Sequence, residues 1–447
     1  MIQGPMLLVI LVIAILFIVV MISRFKVHAF LALLLSAFLV GLAAGMEPIK
    51  VVQEVAKGFG GTTERIGIVI IAGTIIGVML ERSGAALTMA ETILKRVGEK
   101  RPALAMSIIG YIVSIPVFCD SGYVILSALN KSLAKRTGIS MATMAVALST
   151  GLYATHTLVP PTPGPIAAAN ALKADLGMVI IMGLVVAIPV AMAGYFWATK
   201  YANRFEINDP TGMSYEELLA QHVRLPGAFA SFAPIIFPIL LIALKSFANF
   251  PSFPFGKGAF KGLLDFIGDP MVALLLGVAL CLFLVPKWNE EVLSGWVGQG
   301  IKDSAAIIMI TAAGGSLGAL LAATKIGGYL GQSLAQFNLG IFLPFVIAVA
   351  LKTAQGSSTV SLITTATIVF PLLGSLGLAS SMGAVLATMA IGCGSMVVSH
   401  ANDSYFWVVS QFSGMKVDIA YRCQTMATLV QGITGMAVVW LLHLILL

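Results

Sequence analysis

The sequence predicts an all-α polytopic membrane protein built from two inverted repeats. The first observation is composition: 59% of the 447 residues are hydrophobic and 10% are charged, whereas soluble globular chains carry about 25% charged residues. The second is that apolar runs of membrane-spanning length, about 20 residues, recur along the whole chain. The third is that both halves carry similar motifs in the same order. We expect about 10 full crossings and two re-entrant hairpins, with one hairpin and one broken helix in each repeat.

Uninterrupted apolar segments supply most of the expected crossings. They lie near residues 6–22, 27–45, 66–82, 178–199, 228–247, 269–285, 304–323 and 424–447. The first segment has no basic residues before it and no small-residue cleavage site after it, so we expect a retained helix and not a signal peptide. The resulting divisions are an N-terminal helix over 1–26, a first repeat over 27–200, a loop and linker helix over 201–268, and a second repeat over 269–447.

Two apolar stretches are interrupted near the middle by a small polar motif. Residues 103–136 contain CDSG at Cys119 to Gly122, and residues 339–376 contain QGSS at Gln355 to Ser358. We interpret each stretch as a re-entrant hairpin of two short helices, with two ordinary crossings as the alternative.

Two other stretches begin as apolar helices and then break. Residues 139–173 run into THTLVPPTPGP at Thr155, and residues 380–416 run into SHANDS at Ser399. Proline lacks an amide hydrogen and opens a helix, so both stretches predict broken helices.

The two halves align at a nearly constant offset. A shift of 241 residues sets Ala32 and the three leucines after it on Ala273 and the three leucines after that residue, and it sets Gly73 on Gly314. Single identities of this kind are weak, but their shared order indicates a repeat. Five expected crossings separate equivalent helices, and an odd number inverts the second unit.

The distribution of Lys and Arg predicts the orientation. The side that carries Arg82, Lys95 and Lys135 has more basic residues than the side that carries Lys50 and Lys57, and the richer side is expected to be cytoplasmic. Both termini then face the periplasm of a protein in the inner membrane. The net charge of +7 reflects this topology and not nucleic-acid binding.

The interruptions are the predicted binding site. Irregular backbone persists in a membrane only where protein buries it or where it lines a wet cavity, so four breaks predict one central cavity. Helix N-termini at its edge favour a carboxylate, and hydroxyls and amides suit the oxygens of a sugar acid. The predicted substrate-binding residues are Ser121, Gly122, His156, Thr157, Lys352, Gly356, Ser357, Ser358, Thr359, His400 and Asn402.

Ionisable side chains at membrane depth are costly and therefore indicate function. Proton coupling requires a buried carboxylate that binds a proton more tightly than usual, and we assign this role to Asp120 and Asp403. The alternatives are that each aspartate caps a helix and that His156 and His400 only bind backbone carbonyls. Lys352 either holds the substrate carboxylate or extends to the surface.

Enzymatic and ATP-driven functions lack a motif in this chain. No GxxxxGK[ST] loop is present, and no His and Cys cluster has zinc spacing. Ser399 and His400 are neighbours in sequence, but adjacency does not supply the geometry of a nucleophile and a base. We expect no metal, no cofactor and no enzymatic activity.

The interrupted segments are also those that resemble a known family. Over nearly its whole length the chain resembles the gluconate permease family of gluconate:proton symporters, within the wider ion-transporter superfamily. The matching stretches are RFKVHAFLALLL at Arg24, GGTTERIGIVIIAGTIIGVMLERSGAA at Gly60, THTLVPPTPGP at Thr155, GDPMVALLLGVAL at Gly268, QGSSTVSLITTATIVFPLL at Gln355 and SHANDSYFW at Ser399.

This resemblance implies proton-driven uptake of gluconate, a related sugar acid, glycerate or D-serine. It also implies a homodimer in which the hairpin-bearing domain moves like an elevator. The chain has Asp120-Ser121 where gluconate members carry Glu and an apolar residue, Lys352 where they carry Arg, and Thr162 where they carry His. These departures favour a shorter hydroxy acid such as glycerate.

Two other transport functions fit the same architecture. One is sodium-coupled carboxylate symport, because Na⁺ prefers the carbonyl and hydroxyl oxygens that both interruptions supply. The other is cation/proton antiport without an organic substrate, which the hydroxyl-rich interruptions and Lys352 disfavour.

Overall fold

The computed structural model describes residues 6–98, 101–207, 225–249, 255–256, 258–285, 287–324, 339–400 and 403–447. Within these ranges all regular structure is helical and no strand occurs. The all-α prediction is therefore confirmed.

The helices of the first half bury apolar faces against one another. They are α1 (Met6–Ser23), α2 (Ala29–Ala43), α3 (Pro48–Arg82), α4 (Ala85–Val97), α5 (Pro102–Val113), α6 (Cys119–Thr137), α7 (Met141–Leu158), α8 (Pro163–Ala171) and α9 (Leu176–Lys200). Every residue of α7 is buried, so this broken helix lies at the centre of the molecule.

The helices of the second half follow the same order of long, paired and broken elements. They are α10 (Ala228–Ala248), α11 (Ala259–Ile267), α12 (Pro270–Cys281), α13 (Val297–Ala323), α14 (Phe342–Gln355), α15 (Ser358–Val369), α16 (Ser381–Met396), α17 (Ser404–Ser413), α18 (Val417–Ala420) and α19 (Met426–Leu446). The long helices α3 and α13 pack on each other, and α5 packs on α7 as α14 packs on α16. The inversion of the second unit and the boundaries of the repeats stay predictions.

Two of the predicted apolar segments are only parts of longer helices. Helix α3 contains 35 residues and begins at Pro48, not near residue 66. A π-helical segment, Glu291–Trp296, continues directly into α13, so this helix begins well before residue 304. The first half of α3 carries Lys50, Glu54 and Lys57. These charges lower its hydropathy, so the apolar pattern does not predict this part of the helix.

The turn of the first hairpin lies before the CDSG motif. Helix α5 ends at Val113 and α6 begins at Cys119. The Ser114 hydroxyl donates a hydrogen bond to the Val117 carbonyl at 3.0 Å and closes the turn. The prediction that CDSG forms the interruption is therefore wrong, because this motif forms the first turn of α6.

The other three interruptions lie where they were predicted. Gly356 and Ser357 separate α14 from α15, and Gly356 has a φ of +89°, a backbone conformation that favours glycine. Residues 159–162 separate α7 from α8, and residues 397–403 separate α16 from α17.

Several helices have the length and hydropathy of membrane spans. Among the described residues, these are Pro48–Arg82, Leu176–Arg204, Ala228–Ala248, Glu291–Leu321 and Val417–Leu446. The pair Ala259–Ile267 and Pro270–Leu284 is bent by 63° and is long enough to form a sixth. Shorter apolar helices among the described residues include Pro102–Val113, Phe342–Ala354, Ser358–Leu372 and Ser381–Met396. The protein is thus a multi-pass membrane protein, and the total of about 10 crossings stays a prediction.

Helices α3 and α13 approach closely because small residues face each other. A Cβ atom on Gly58 would lie 2.5 Å from the Gly315 carbonyl oxygen and 2.8 Å from the Ser316 Cα atom. The Ser316 hydroxyl donates to the Val55 carbonyl at 2.8 Å. This contact fixes the frame against which α8 and α15 pack.

We expect Gly58→Ala to lower the midpoint of thermal denaturation in detergent. The added methyl group forces the two backbones apart, and overpacking costs about 1–3 kcal/mol. Gly60→Ala is the matched control, because nothing lies within 4 Å of its Cβ position and alanine favours helix. A Gly58→Ala protein that melts at or above the Gly60→Ala protein contradicts this account of the α3 and α13 contact.

Candidate functional site

The interruptions bring four of the predicted ionisable residues into one region. Asp120 lies in the first turn of α6, Lys352 in the last turn of α14, and His156 in the last turn of α7. Asp403 is the N-cap of α17. These helices meet because α6 packs on α17 and both contact α7.

Lys352 and Asp403 form an ion pair inside the protein. The Lys352 Nζ atom lies 2.6 Å from Asp403 Oδ2, and their side chains are 0% and 7% exposed. The lysine ammonium also donates to the Gly356 carbonyl at the turn of the second hairpin. Breaking a buried pair by removing one partner costs about 3–5 kcal/mol, so this contact holds the second hairpin to the break between α16 and α17.

Every oxygen of the Asp403 carboxylate accepts a hydrogen bond. The Ser399 hydroxyl donates to Oδ2 at 2.6 Å, and the Tyr405 amide donates to Oδ1 at 3.1 Å. The second contact is an N-cap hydrogen bond, which satisfies a backbone amide in the first turn of α17. Asp403 therefore combines the helix-capping role considered from the sequence with the role of a counterion.

Asp120 has a different environment from Asp403. It is half-buried, and its Oδ1 atom accepts a hydrogen bond from the Ser404 hydroxyl at 3.3 Å. Its Oδ2 atom lies 3.7 Å from the Cys119 thiol. No salt bridge identified in the described part of the chain involves Asp120. The region thus holds two carboxylates and one ammonium group.

Aromatic rings form the apolar wall beside this cluster. The Lys352 Nζ atom lies 5.8 Å from the centre of the Tyr153 ring, a separation at which an ammonium is attracted to a ring face. Tyr153 stacks on His156 with 6.3 Å between ring centres, and it contacts Tyr405 at 5.1 Å. The Tyr405 hydroxyl donates to the Ser149 carbonyl at 2.9 Å. Neither tyrosine was predicted from the sequence, because aromatic residues in apolar helices look like ordinary core residues.

The histidines differ in their contacts. The His156 side chain is buried, and its Nδ1 atom has no hydrogen-bond partner in the described part of the structure. The His400 Nε2 atom lies 3.0 Å from the Thr353 carbonyl oxygen, which is the carbonyl contact considered as the alternative for this residue.

Two of the predicted binding residues, Gly122 and Thr157, already make contacts within the protein. A Cβ atom on Gly122 would lie 2.8 Å from Leu152, and the Gly122 amide already donates to the Phe118 carbonyl. The Thr157 hydroxyl donates within α7 to the Tyr153 carbonyl at 3.2 Å. Both residues therefore have structural contacts of their own.

The second hairpin presents hydroxyl groups around its turn. The Ser357 hydroxyl accepts a hydrogen bond from the Val360 amide at 3.3 Å and caps α15. Ser358 is buried, whereas Ser121, Ser357 and Thr359 are half-buried. Asn402 lies outside the described residues.

A cavity of about 560 Å³ lies away from this cluster, between the α3 and α13 pair and the α8 and α15 pair. None of the predicted substrate-binding or proton-coupling residues lines it. The ionisable residues instead pack against one another and against α7. No group of three or more potential metal ligands occurs in the described ranges.

Named transporters are similar to the chain over nearly its whole length. The chain is 33% identical to a gluconate permease of Pseudomonas aeruginosa over 435 residues, which cover 96% of this chain and 95% of that protein. It is 32% identical to a D-serine transporter of Escherichia coli over 440 residues, which cover 97% of this chain and 98% of the relative.

A solved structure shares the fold at low sequence identity. MtrF of Neisseria gonorrhoeae superposes with a TM-score of 0.69 at 16% identity, covering 94% of this chain and 96% of that chain. The predicted resemblance and the prediction of a membrane transporter are both confirmed, because the profile of the GntP family permease matches residues 6–445. The chain belongs to the GntP permease family.

Proposed function

We propose that the protein takes up a small hydroxylated carboxylate together with a proton. The substrate class is that of gluconate, glycerate and related sugar acids. The observation that carries this proposal is the buried ion pair between Lys352 and Asp403.

Conservation of buried charge couples the proton to the substrate. A proton on Asp403 neutralises the carboxylate and leaves the Lys352 ammonium without a counterion. Burying an isolated charge is costly, so the lysine then requires another anion. A substrate carboxylate supplies it, and the loaded site holds the same buried charge as the empty site. Neither the proton nor the substrate enters favourably alone, which is the condition for symport.

Asp120 provides a route for the proton in this proposal. It is the more exposed of the two aspartates. The Ser404 hydroxyl that contacts Asp120 follows Asp403 directly in sequence. A proton taken up by Asp120 also reduces the repulsion between two carboxylates in one region. Asp120 is thus the receiving group, and Asp403 is the group whose protonation releases the lysine.

Hydroxyl recognition is assigned to the turn of the second hairpin. Lys352 holds the Gly356 carbonyl, so release of the lysine frees the turn that carries Ser357, Ser358 and Thr359. Gluconate and D-serine, for which the two relatives are named, share a carboxylate and at least one hydroxyl group. A substrate with both groups can occupy the lysine and the hairpin hydroxyls together.

The proposed location is the inner membrane. The proposed orientation has both termini in the periplasm. Basic residues lie in the last turns of α4 and α6, at Lys95, Arg96, Lys135 and Arg136. These helix ends would face the cytoplasm. The homodimer implied by the family resemblance is part of the same proposal.

We expect proteoliposomes with an inwardly directed proton gradient to accumulate labelled gluconate, glycerate or D-serine. A protonophore should abolish the accumulation, because the proton supplies the driving force. Replacing sodium with choline should leave the initial rate unchanged. Accumulation that depends on sodium and resists the protonophore contradicts proton coupling, and the absence of accumulation for every hydroxy acid tested contradicts the substrate class.

Asp403→Asn should abolish accumulation while retaining exchange of labelled for unlabelled substrate. The amide resembles the protonated carboxyl group and still caps a helix, but it cannot release a proton. Counterflow and gradient-driven uptake are measured on the same vesicles. Asp120→Asn should also lose accumulation. Wild-type accumulation by both variants contradicts the assignment of the coupling residues.

Lys352→Met should lower the thermal denaturation midpoint strongly, because it leaves the Asp403 carboxylate buried without its cation, at a cost of about 3–5 kcal/mol. The double variant Lys352→Met with Asp403→Asn removes both charges and should regain much of the lost stability. Neither protein should exchange substrate. A double variant no more stable than Lys352→Met alone shows that the two charges are not coupled.

A further inference from the structure

The cavity between the α3 and α13 pair and the α8 and α15 pair has no role in the function proposed above. Its volume of about 560 Å³ lies in the range of small-molecule sites, about 300–1,000 Å³. Gly61, Gly314 and Gly318 form part of its wall, and nothing lies within 4 Å of the Cβ position of Gly61. The cavity is therefore large enough for a hydroxy acid.

Positive charge predominates on the lining of this cavity. Among the described residues, Lys57, Arg65 and Lys173 line it together with one carboxylate, that of Glu54. Lys57, Gly61 and Arg65 repeat at intervals of four residues, which places them along one face of α3. The salt bridges identified among the described residues include none of the three cations. The cavity thus carries a net positive charge available to an anion.

Lys173 is held at the cavity by its backbone and its side chain. It has a φ of +55°, which is uncommon for a residue with a Cβ atom. Its amide donates to the Asn170 carbonyl at 3.1 Å. Its Nζ atom lies 5.0 Å from the centre of the Phe370 ring, and Phe370 also lines the cavity. This cation–π contact directs the ammonium toward the cavity and ties the end of α8 to the end of α15.

The cavity lies along the same helix as the hydroxyl-bearing turn. Ile363 and Thr367 of α15 line it, and Ser358 begins that helix about 7.5 Å along the axis from Ile363, at 1.5 Å per residue. Between them, α8 packs tightly on α15, since a Cβ atom on Gly164 would lie 2.8 Å from Leu362. The cavity is thus separated from the ion-pair region by the first turns of α8 and α15.

We propose that this cavity is a capture site for the carboxylate substrate, in which Lys57, Arg65 and Lys173 bind the anion before it reaches the second hairpin. The identity of the anion rests on the function proposed above. Cations in a partly enclosed cleft raise the local concentration of anions, and the effect weakens as salt screens the charges.

Thiol labelling of purified protein in detergent tests the anion preference without any transport. The native cysteines are all buried, and Gly61→Cys places a thiol in the cavity, where nothing lies within 4 Å of the Cβ position. Gly60→Cys is the matched control, because Gly60 is equally unobstructed and does not line the cavity. Each thiol is treated with an anionic sulfonate and a cationic trimethylammonium methanethiosulfonate.

The ratio of anionic to cationic labelling rates should be about threefold to tenfold higher for Gly61→Cys than for Gly60→Cys at low salt. Adding Lys57→Gln, Arg65→Gln and Lys173→Gln should remove this difference. These side chains are exposed, so their replacement leaves the packed interior intact. Equal ratios at the two thiols, or a ratio unaffected by the three replacements, would overturn the capture site.

Uptake separates this inference from the proposed function. In proteoliposomes the triple glutamine variant should raise the KM for the transported carboxylate about tenfold with kcat unchanged, and its KM should lose the salt dependence of the wild type. Lys50→Gln removes a charge from the same helix outside the cavity, and an equal KM effect from it would overturn the assignment to the cavity. An anion preference at Gly61→Cys without carboxylate uptake supports an anion site in the cavity and contradicts the proposed function.

Discussion

The proposed coupling of proton and substrate depends on the ion pair between Lys352 and Asp403. The two charged side chains are 0% and 7% exposed, so they are surrounded almost entirely by protein. Their attraction joins the end of α14 to the break before α17, and the contact from Lys352 to the Gly356 carbonyl extends this connection to the hairpin turn. In this proposal, a loss of the negative charge of Asp403 is compensated by another anion beside Lys352. Protonation of Asp403 and binding of the substrate carboxylate are thereby linked.

The two aspartates of this region have different surroundings. Three donors contact the Asp403 carboxylate, from Lys352, Ser399 and Tyr405. Asp120 lacks an identified cationic partner in the described ranges and is more exposed. These different environments fit the two proposed roles, in which Asp120 receives the proton and protonation of Asp403 releases Lys352.

The sequence predicted the elements of the site better than their contacts. Ionisable side chains at membrane depth are energetically costly and therefore indicate function. This argument identified Asp120, His156, Lys352 and Asp403, and the structure places them in one region. Their pairing was not predictable, because Lys352 and Asp403 are 51 residues apart and no local pattern links them. Tyr153 and Tyr405 gave no signal, since their role comes from what they pack against.

Hydropathy did not predict where α3 begins or which of its residues line a cavity. Residues 46–65 fall between two of the predicted apolar segments, but Lys57 and Arg65 lie on α3 and line a cavity. A membrane helix tolerates such residues where one face borders water and the other packs on protein, and that distinction requires tertiary structure. The turn of the first hairpin was misplaced for a related reason, because the polar CDSG motif begins a helix and the more apolar residues before it form the turn.

Charge movement during transport tests the central claim most directly. If the substrate carboxylate replaces the charge that a proton removes from Asp403, one monoanionic substrate enters with one proton and no net charge crosses the membrane. In proteoliposomes with valinomycin and controlled potassium gradients, a pH gradient at zero potential should drive accumulation of the substrate. A membrane potential at equal pH should drive none. Accumulation driven by the potential alone would contradict the exchange of counterions at Lys352.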